Sequence, residues 1–285
     1  MAQHNDYLKT IENNLWLTEY DRNNLKISYR IKEIIAQAKS DFQDIMILDS
    51  YDFGPMLVLD GVVQSTALDG AIYNEMMAHV PLSHHPNPEK VLIIGGGDCG
   101  VAKEVCKHTH VKTIHMVEID ELVIRLSKEH LKKVSGNLSD PRVHFIYDNG
   151  VQFVSGVADN TYDIIIVDSS DPVGAALILF EMSFYKDIHR ILKKDGLMVC
   201  QSQSPVFHKA FLRQTFDRIG QLFPITKLYW ATIPTYPGGF WSFILGTKKY
   251  DELIETHFDY DTQYVNQSLL STCFELPVFM EDIIR

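Results

Sequence analysis

The stretch KVLIIGGGDCGVAKEVC, Lys90 to Cys106, decides the fold. Val91 to Ile94 form an apolar run without alternation, and three glycines close it. A short run of this kind predicts a strand buried on both faces, here Val91 to Gly97, followed by a helix through VAKEVCKH. Gly95-Gly96-Gly97-Asp98-Cys99-Gly100 matches G-x-G-x-x-G between that strand and that helix. Glycines there allow a sharp turn and a close approach by a ligand. Asp98 is unusual inside such a loop. Its carboxylate would repel a pyrophosphate, so the loop predicts a ligand that is cationic at this point and not a dinucleotide.

Downstream the rhythm repeats. IHMVEID (Ile114 to Asp120), VHFIYD, YDIIIVD (Tyr162 to Asp168) and LMVCQ read as strands separated by helical segments, and KLYWATI and FWSFILG follow. Strands alternating with helices predict a seven-stranded, mainly parallel, doubly wound α/β sheet. The link PTYPGG is too short for a helical crossover, so the last two strands form an antiparallel hairpin at one edge. Upstream, YNEMMAHVPL reads as a helix stopped by Pro81. Between Asn24 and Gln64, LKISYRI, FQDIMIL and PMLVLDGVVQ read as short antiparallel strands. The expected division is a small N-terminal antiparallel β domain over residues 1–65 and a catalytic α/β domain over 66–285. One or two helices in the tail, Tyr250 to Arg285, pack on the larger sheet.

The 285 residues carry 26 Lys and Arg against 37 Asp and Glu, a formal charge of −11. That balance argues against general nucleic-acid binding, which rests on phosphate neutralisation by basic side chains. No apolar run reaches the ~20 residues of a membrane span, and the N-terminus lacks the pattern of a secretory leader. The four cysteines show neither C-x-x-C nor zinc spacing and read as small core thiols. A reduced, cytoplasmic protein is expected.

In an open α/β sheet, ligands bind at the carboxyl ends of the strands. Four segments put polar groups there. Asp98 lies in the glycine loop. Glu118, about 20 residues on, is placed to accept hydrogen bonds from ribose hydroxyls, whereas Asp120 and Glu121 fit a helix N-terminus better. Asp148-Asn149-Gly150 ends the next strand near where a base would sit, and an Asn or Asp there can accept from an adenine amino group; a plain turn is the alternative. Asp168-Ser169-Ser170-Asp171 follows the apolar run YDIIIV. Carboxylates crowded into a cleft are costly unless a cation lies between them. The pattern predicts an amine site beside a nucleoside site, with Tyr73 and Tyr236 as candidate walls.

These residues also carry a resemblance. FQDIMIL, LVLDGVVQSTALDGAIYNEMMAHVPL, KVLIIGGGDCG, VEIDE, DNGVQFV, YDIIIVDSSDPVG, ATIPTYPGG and YVNQSLLSTCFELP stand in the order found in the polyamine aminopropyltransferases, the spermidine synthase family. Together they span roughly residues 25–277. The resemblance implies a methyltransferase-like Rossmann domain behind the small β domain. It implies aminopropyl transfer from decarboxylated S-adenosylmethionine, a co-substrate, to putrescine, giving spermidine and methylthioadenosine. It further implies that no metal or cofactor takes part and that the chain is a homodimer. On this resemblance Asp168 is the proton acceptor, and Tyr73, Asn74, Asp98, Asp168, Asp171 and Tyr236 surround the amine. Gln43, Gly95, Asp98, Glu118, Asn149, Gly150 and Ala175 fall at donor and nucleoside positions.

The chain departs from the family pattern at several places. Gly70 replaces the Glu of an Asp-Glu pair, and Cys99 replaces a loop glycine. Asn149 replaces an Asp on the adenine side, keeping a carbonyl acceptor while losing the charge. Ala175 replaces a Pro, Val206 a Trp and Leu270 a His, and Gln201-Ser202-Gln203 stands for Gln-x-Glu. These changes bear on substrate choice and rate. Two other functions compete. A putrescine N-methyltransferase would use the intact sulfonium donor, but Asp98 would repel that donor's carboxylate. A non-catalytic polyamine- or nucleoside-binding paralogue is opposed by the retained acids Asp98, Glu118, Asp168 and Asp171. A nicotinamide dehydrogenase does not fit so acidic a cleft.

Overall fold

The computed structural model describes residues 7–22, 24–136, 138–170, 174–254 and 260–285, without the side chains of 22 and 174–176. Asp171 lies outside the described residues.

Six strands form the first sheet in sequence order: β1 (Leu8–Ile11), β2 (Asn14–Arg22), β3 (Leu25–Lys39), β4 (Asp44–Ser50), β5 (Gly54–Leu59) and β6 (Val62–Thr66). Every pairing is antiparallel. The sheet begins upstream of the expected Asn24, because β1 and β2 add a hairpin. Leu17, Tyr29, Ile31, Met46, Leu48, Met56, Val58 and Val63 cluster on one face. On the other, Ile45, Ile47 and Leu57 pack against Val123, Leu131 and Val134 of the second domain. Alternating residues of β4 and β5 therefore serve two cores, as the two-residue period of a strand dictates.

The chain continues through α1 (Gly70–Leu82), β7 (Lys90–Gly95), α2 (Gly100–Cys106), β8 (Thr113–Glu118), α3 (Glu121–His130), α4 (Lys132–Ser135), β9 (Val143–Tyr147) and α5 (Gly150–Gly156). It then forms β10 (Tyr162–Asp168), a 3-10 turn (Gly174–Phe180), α6 (Met182–Ile191), β11 (Leu192–Gln201), α7 (Lys209–Gly220), β12 (Ile225–Thr232) and β13 (Phe240–Thr247). Two tail helices, α8 (Gln267–Thr272) and α9 (Val278–Ile284), complete it. The second sheet has seven strands in the order β12-β13-β11-β10-β7-β8-β9. It is parallel from β11 through β9, with β13 antiparallel to both β11 and β12. The expected architecture and edge hairpin are both present.

Alternate residues of each central strand face opposite cores. Ile93, Ile166 and Val199 meet Met76, Val101 and Leu270 on one face. Ile94, Ile165 and Met198 meet Val154, Phe184, Leu212 and Met280 on the other. Helix α1 is apolar around most of its circumference and buried accordingly. It runs through Pro81 instead of stopping there. Proline lacks the N–H that would bond Met77 O, and the helix absorbs that loss one residue before its end. Strand β7 ends at Gly95, short of the expected Gly97, because Gly95 and Gly96 turn to φ of 84° and 74° and leave the extended region. Among the described residues no helix is long and apolar enough to cross a membrane.

Candidate active site

Parallel register brings the two halves of the site together. Asp168, last in β10, lies opposite Gly95, last in β7. Gly96 N–H donates to Asp168 O at 3.0 Å. A Cβ on Gly95 would fall 2.1 Å from that same carbonyl oxygen, and one on Gly96 would sit 3.0 Å from Asp168 Oδ2. The glycines thus let the Asp168 carboxylate settle against the loop.

The loop carries the second acid. Asp98 Oδ1 accepts the Gly100 N–H at 2.8 Å. Burial pushes the Asp98 pKa upward, while Gly100 N–H, Ser65, Lys103 and Asn74 oppose that rise. Asp168 is raised to about 7, first by burial, then by the Asp98 charge, with a smaller push from Glu118; the Tyr73 hydrogen bond works the other way. A buried carboxylate whose pKa a second buried acid pushes up marks a site in want of positive charge.

Tyr73, in the first turn of α1, donates its hydroxyl to Asp168 Oδ1 at 2.7 Å. Burial and the Asp168 charge hold the phenol well above its ordinary pKa, so it stays a donor. Its ring meets Tyr236 edge-on at 5.9 Å and Phe243 at 5.6 Å. Tyr236 donates to Gln64 O at 2.7 Å and packs on Trp241. Asn74 is buried beside Gly100, where an added Cβ would collide with its amide.

The hairpin that carries Tyr236 is tied down by Asp69. The Asp69 carboxylate accepts Thr235 N–H at 2.8 Å, the Thr235 hydroxyl, and the Thr66 hydroxyl at 2.6 Å. Asp69 precedes α1 but makes no side-chain cap there. Tyr29 adds a bond to Thr235 O at 3.0 Å. One residue beyond Asn74, α1 anchors the tail: the buried Glu75 carboxylate accepts the N–H groups of Gln263, Tyr264 and Val265 at 2.7–2.9 Å. None of these long-range ties has a local sequence signal. Asp69 has only the look of a helix cap.

Across the loop, Glu118 ends β8. Its Oε1 accepts Asp120 N–H at 3.0 Å, and burial raises its pKa to about 7. Asp120 caps α3 through Leu122 N–H and also accepts from Ser40 Oγ at 2.6 Å and Gln43 Nε2 at 2.9 Å. Gln43 therefore reaches the strand-end rim from the first sheet. Gly150 opens α5 with its Cα against Ile94. Ala175 lies in the 3-10 turn, its side chain outside the described residues. Asn149 is the N-cap of α5: its Oδ1 accepts Val151 N–H at 2.9 Å and Gln152 N–H at 3.3 Å.

The model described as the spermine/spermidine synthase domain matches residues 70–257. The chain belongs to the spermine/spermidine synthase family. A second model of that family, the spermidine synthase tetramerisation domain, matches residues 15–67. The chain is 47% identical over 277 residues to a polyamine aminopropyltransferase of Caldicellulosiruptor saccharolyticus, covering 96% of this chain and 99% of that one. It is 42% identical over 274 residues to a polyamine aminopropyltransferase of Bacillus subtilis, at 95% and 99% coverage. Its fold is similar to a spermidine synthase crystallised in complex with the transition-state analogue AdoDATO, with a TM-score of 0.92, 35% identity and 97% of each chain covered. It is also similar to the spermidine synthase of Thermotoga maritima, with a TM-score of 0.88, 34% identity and 94% of each chain covered.

Proposed function

We infer that this chain transfers an aminopropyl group from decarboxylated S-adenosylmethionine to putrescine, releasing spermidine and methylthioadenosine. The observation that carries the reading is the buried Asp168 carboxylate at the glycine loop, its pKa raised by the Asp98 charge and its Oδ1 bonded to Tyr73. Family membership supports the same reaction.

The chemistry follows from charge. An alkylammonium has no lone pair, and its unperturbed pKa is near ~10. Asp168 holds the amine and takes its proton as the nitrogen attacks the methylene beside the sulfonium. The C–S bond breaks, its electron pair returns to sulfur, and the sulfonium charge disappears. Tyr73 occupies Oδ1 of Asp168, which leaves Oδ2 for the amine. A base with a pKa of about 7 matches ambient pH. Asp98 pairs with the ammonium at the far end of the aminopropyl arm, and Asn74 lies beside it. Asp171 and Tyr236 take the distal amine. Glu118 accepts from the ribose hydroxyls, and Gln43, Gly95, Asn149, Gly150 and Ala175 surround the nucleoside. Much of the rate comes from orientation, because the sulfonium is already a good leaving group. For the same reason the reading requires no metal or cofactor.

The reading includes a cytoplasmic homodimer acting on small molecules, with neither nucleic acid nor membrane as partner. Ile11, Tyr20 and Ile34 are exposed on the first sheet and offer apolar surface for association. The test is incubation with each sulfonium donor and a panel of amines, followed by mass analysis. The expected product is the diamine enlarged by one aminopropyl group. A methylated amine from the intact donor, or no product from any combination, overturns the reading.

A further inference from the structure

Just past α1 the chain buries three polar side chains in a row, Ser83, His84 and His85. Ser83 Oγ, His84 Nε2 and His85 Nε2 each lack a hydrogen-bond partner, an arrangement that folded proteins avoid. His84 shows what is missing. Its Nδ1 lies 2.8 Å from Val80 O, and a carbonyl can only accept, so Nδ1 carries the proton and donates. Burial lowers the ring's pKa to about 4 and keeps it neutral at ambient pH. Nε2 is therefore a bare lone pair, an acceptor with no donor. It sits across the ring from Nδ1 and faces away from α1. The ring borders a pocket of about 470 Å³ between the end of α1, the edge strand β12 and the tail, and the two charges that act on it, Lys227 and Asp251, line that pocket too. The volume suits a small ligand. No residue of this lining belongs to the catalytic site, and the end of α1 at Leu82 is about 13 Å along the helix axis from Tyr73.

The lining carries one cation and two carboxylates. Lys227 pairs with Asp251 at 2.5 Å and lies 5.4 Å from the centre of the Phe274 ring, so one ammonium already rests between a carboxylate and an aromatic face here. Glu252 is exposed and has no partner among the described residues. Leu228, Leu253 and Leu276 supply apolar wall. The Ile254 N–H donates to Ser83 O at 2.8 Å and holds the 251–254 side of the pocket against the end of α1. We propose that this pocket is a second, non-catalytic amine site, which takes an alkylammonium with an N–H on His84 Nε2, its charge toward Glu252 and its chain on the leucines. An alcohol supplies the donor without the charge. A carboxylate supplies no donor and meets Asp251 and Glu252 as a like charge. The inference stands apart from the transfer reading, because it uses none of the residues of that reaction.

The test is calorimetry with hexylamine as the probe and hexanol as its uncharged counterpart, on wild type and three variants of the lining. His84→Phe keeps an aromatic ring against Phe274 and removes the acceptor. It is expected to weaken hexylamine binding by about tenfold or more, the loss of one hydrogen bond to a charged group. Glu252→Gln is expected to weaken it by about two- to fivefold at low salt and hardly at all at high salt, as an exposed charge allows. Ser271→Trp, at an exposed lining position on α8, fills the pocket and is expected to abolish binding there; it keeps the test decisive should His84→Phe fail to fold. Hexylamine held in the catalytic cleft is blind to all three changes, so binding unaltered by Ser271→Trp overturns the inference. Hexanol binding as tightly as hexylamine overturns the cationic class, and no binding of hexylamine overturns the site. The product assay for aminopropyl transfer is read separately and stands or falls without it.

Discussion

Replacing Tyr73 with phenylalanine removes one oxygen and tests whether Asp168 works as a base. The hydroxyl donates to Asp168 Oδ1 at 2.7 Å. That bond favours the ionised carboxylate against the burial and the Asp98 charge that bring its pKa to about 7. A hydrogen bond to a charged group contributes roughly 1.5–3 kcal/mol, and one pKa unit corresponds to about 1.4 kcal/mol. Tyr73→Phe should therefore lift the Asp168 pKa by about one to two units. A base must be ionised to accept a proton, so the acid limb of kcat/KM moves to higher pH. At about pH 7 the ionised fraction drops from about a half to between about a tenth and a hundredth, a loss of roughly five- to fiftyfold. By about pH 9 roughly half or more of the activity returns. The assay is kcat/KM for the amine at saturating donor across this range, taken as the ratio of variant to wild type so that the amine's own ionisation cancels. A uniform loss at every pH would mean that the hydroxyl serves only to seat the ring against Tyr236. No shift at all would refute the base assignment.

Four further outcomes are expected. Asp168→Asn should keep methylthioadenosine affinity by calorimetry while turnover falls below about a tenth of wild type; a smaller loss, under ~1.4 kcal/mol, excludes Asp168 as the base. Wild type should bind the decarboxylated donor at least about tenfold tighter than the intact one, and Asp98→Asn should bring the two near parity; tighter binding of the intact donor by wild type would favour methyl transfer. Asp69→Ala strands the buried Thr235 N–H and should lower urea stability by about 2–4 kcal/mol, whereas an unchanged midpoint would make the tie idle. Butylamine should be a poorer substrate than putrescine by about tenfold or more in kcat/KM, since it leaves the acceptors at one end without a cation; equal efficiencies would withdraw Asp171 and Tyr236 from the amine site.

What could be read from the sequence was what depends on neighbours along the chain. The run VLIIGGG announces its strand and turn because apolar continuity and glycine act locally. The strand-end rule then brings Asp98, Glu118 and Asp168 to one edge, and in the structure the charges of Asp98 and Glu118 both raise the Asp168 pKa. Less was visible where distant segments decide. The β1–β2 hairpin carries little local signal, because Asn14 to Arg22 does not alternate strictly and two short strands gain their stability from the sheet they join. Asp69 restrains a hairpin more than 160 residues away, a tie that no neighbour along the chain announces. Asn149 was placed correctly at a strand end, but the partner of its oxygen depends on cap geometry that a letter in the sequence does not carry.

The three backbone groups held by Glu75 have a consequence for the order in which this enzyme becomes complete. Glu75 sits two residues from Tyr73 on α1, and its partners Gln263 to Val265 come from the last tenth of the chain. Synthesis proceeds at about 5–20 residues per second from the N-terminus, so α1 emerges well before the segment that satisfies its carboxylate. Until then that acid must stay in water, and α1 cannot settle fully into the position that sets Tyr73 against Asp168. A segment about 190 residues downstream of Glu75 therefore locks the helix that carries Tyr73. Chain ends that stop short of Val265 leave the nascent protein folded in outline and without a finished active site.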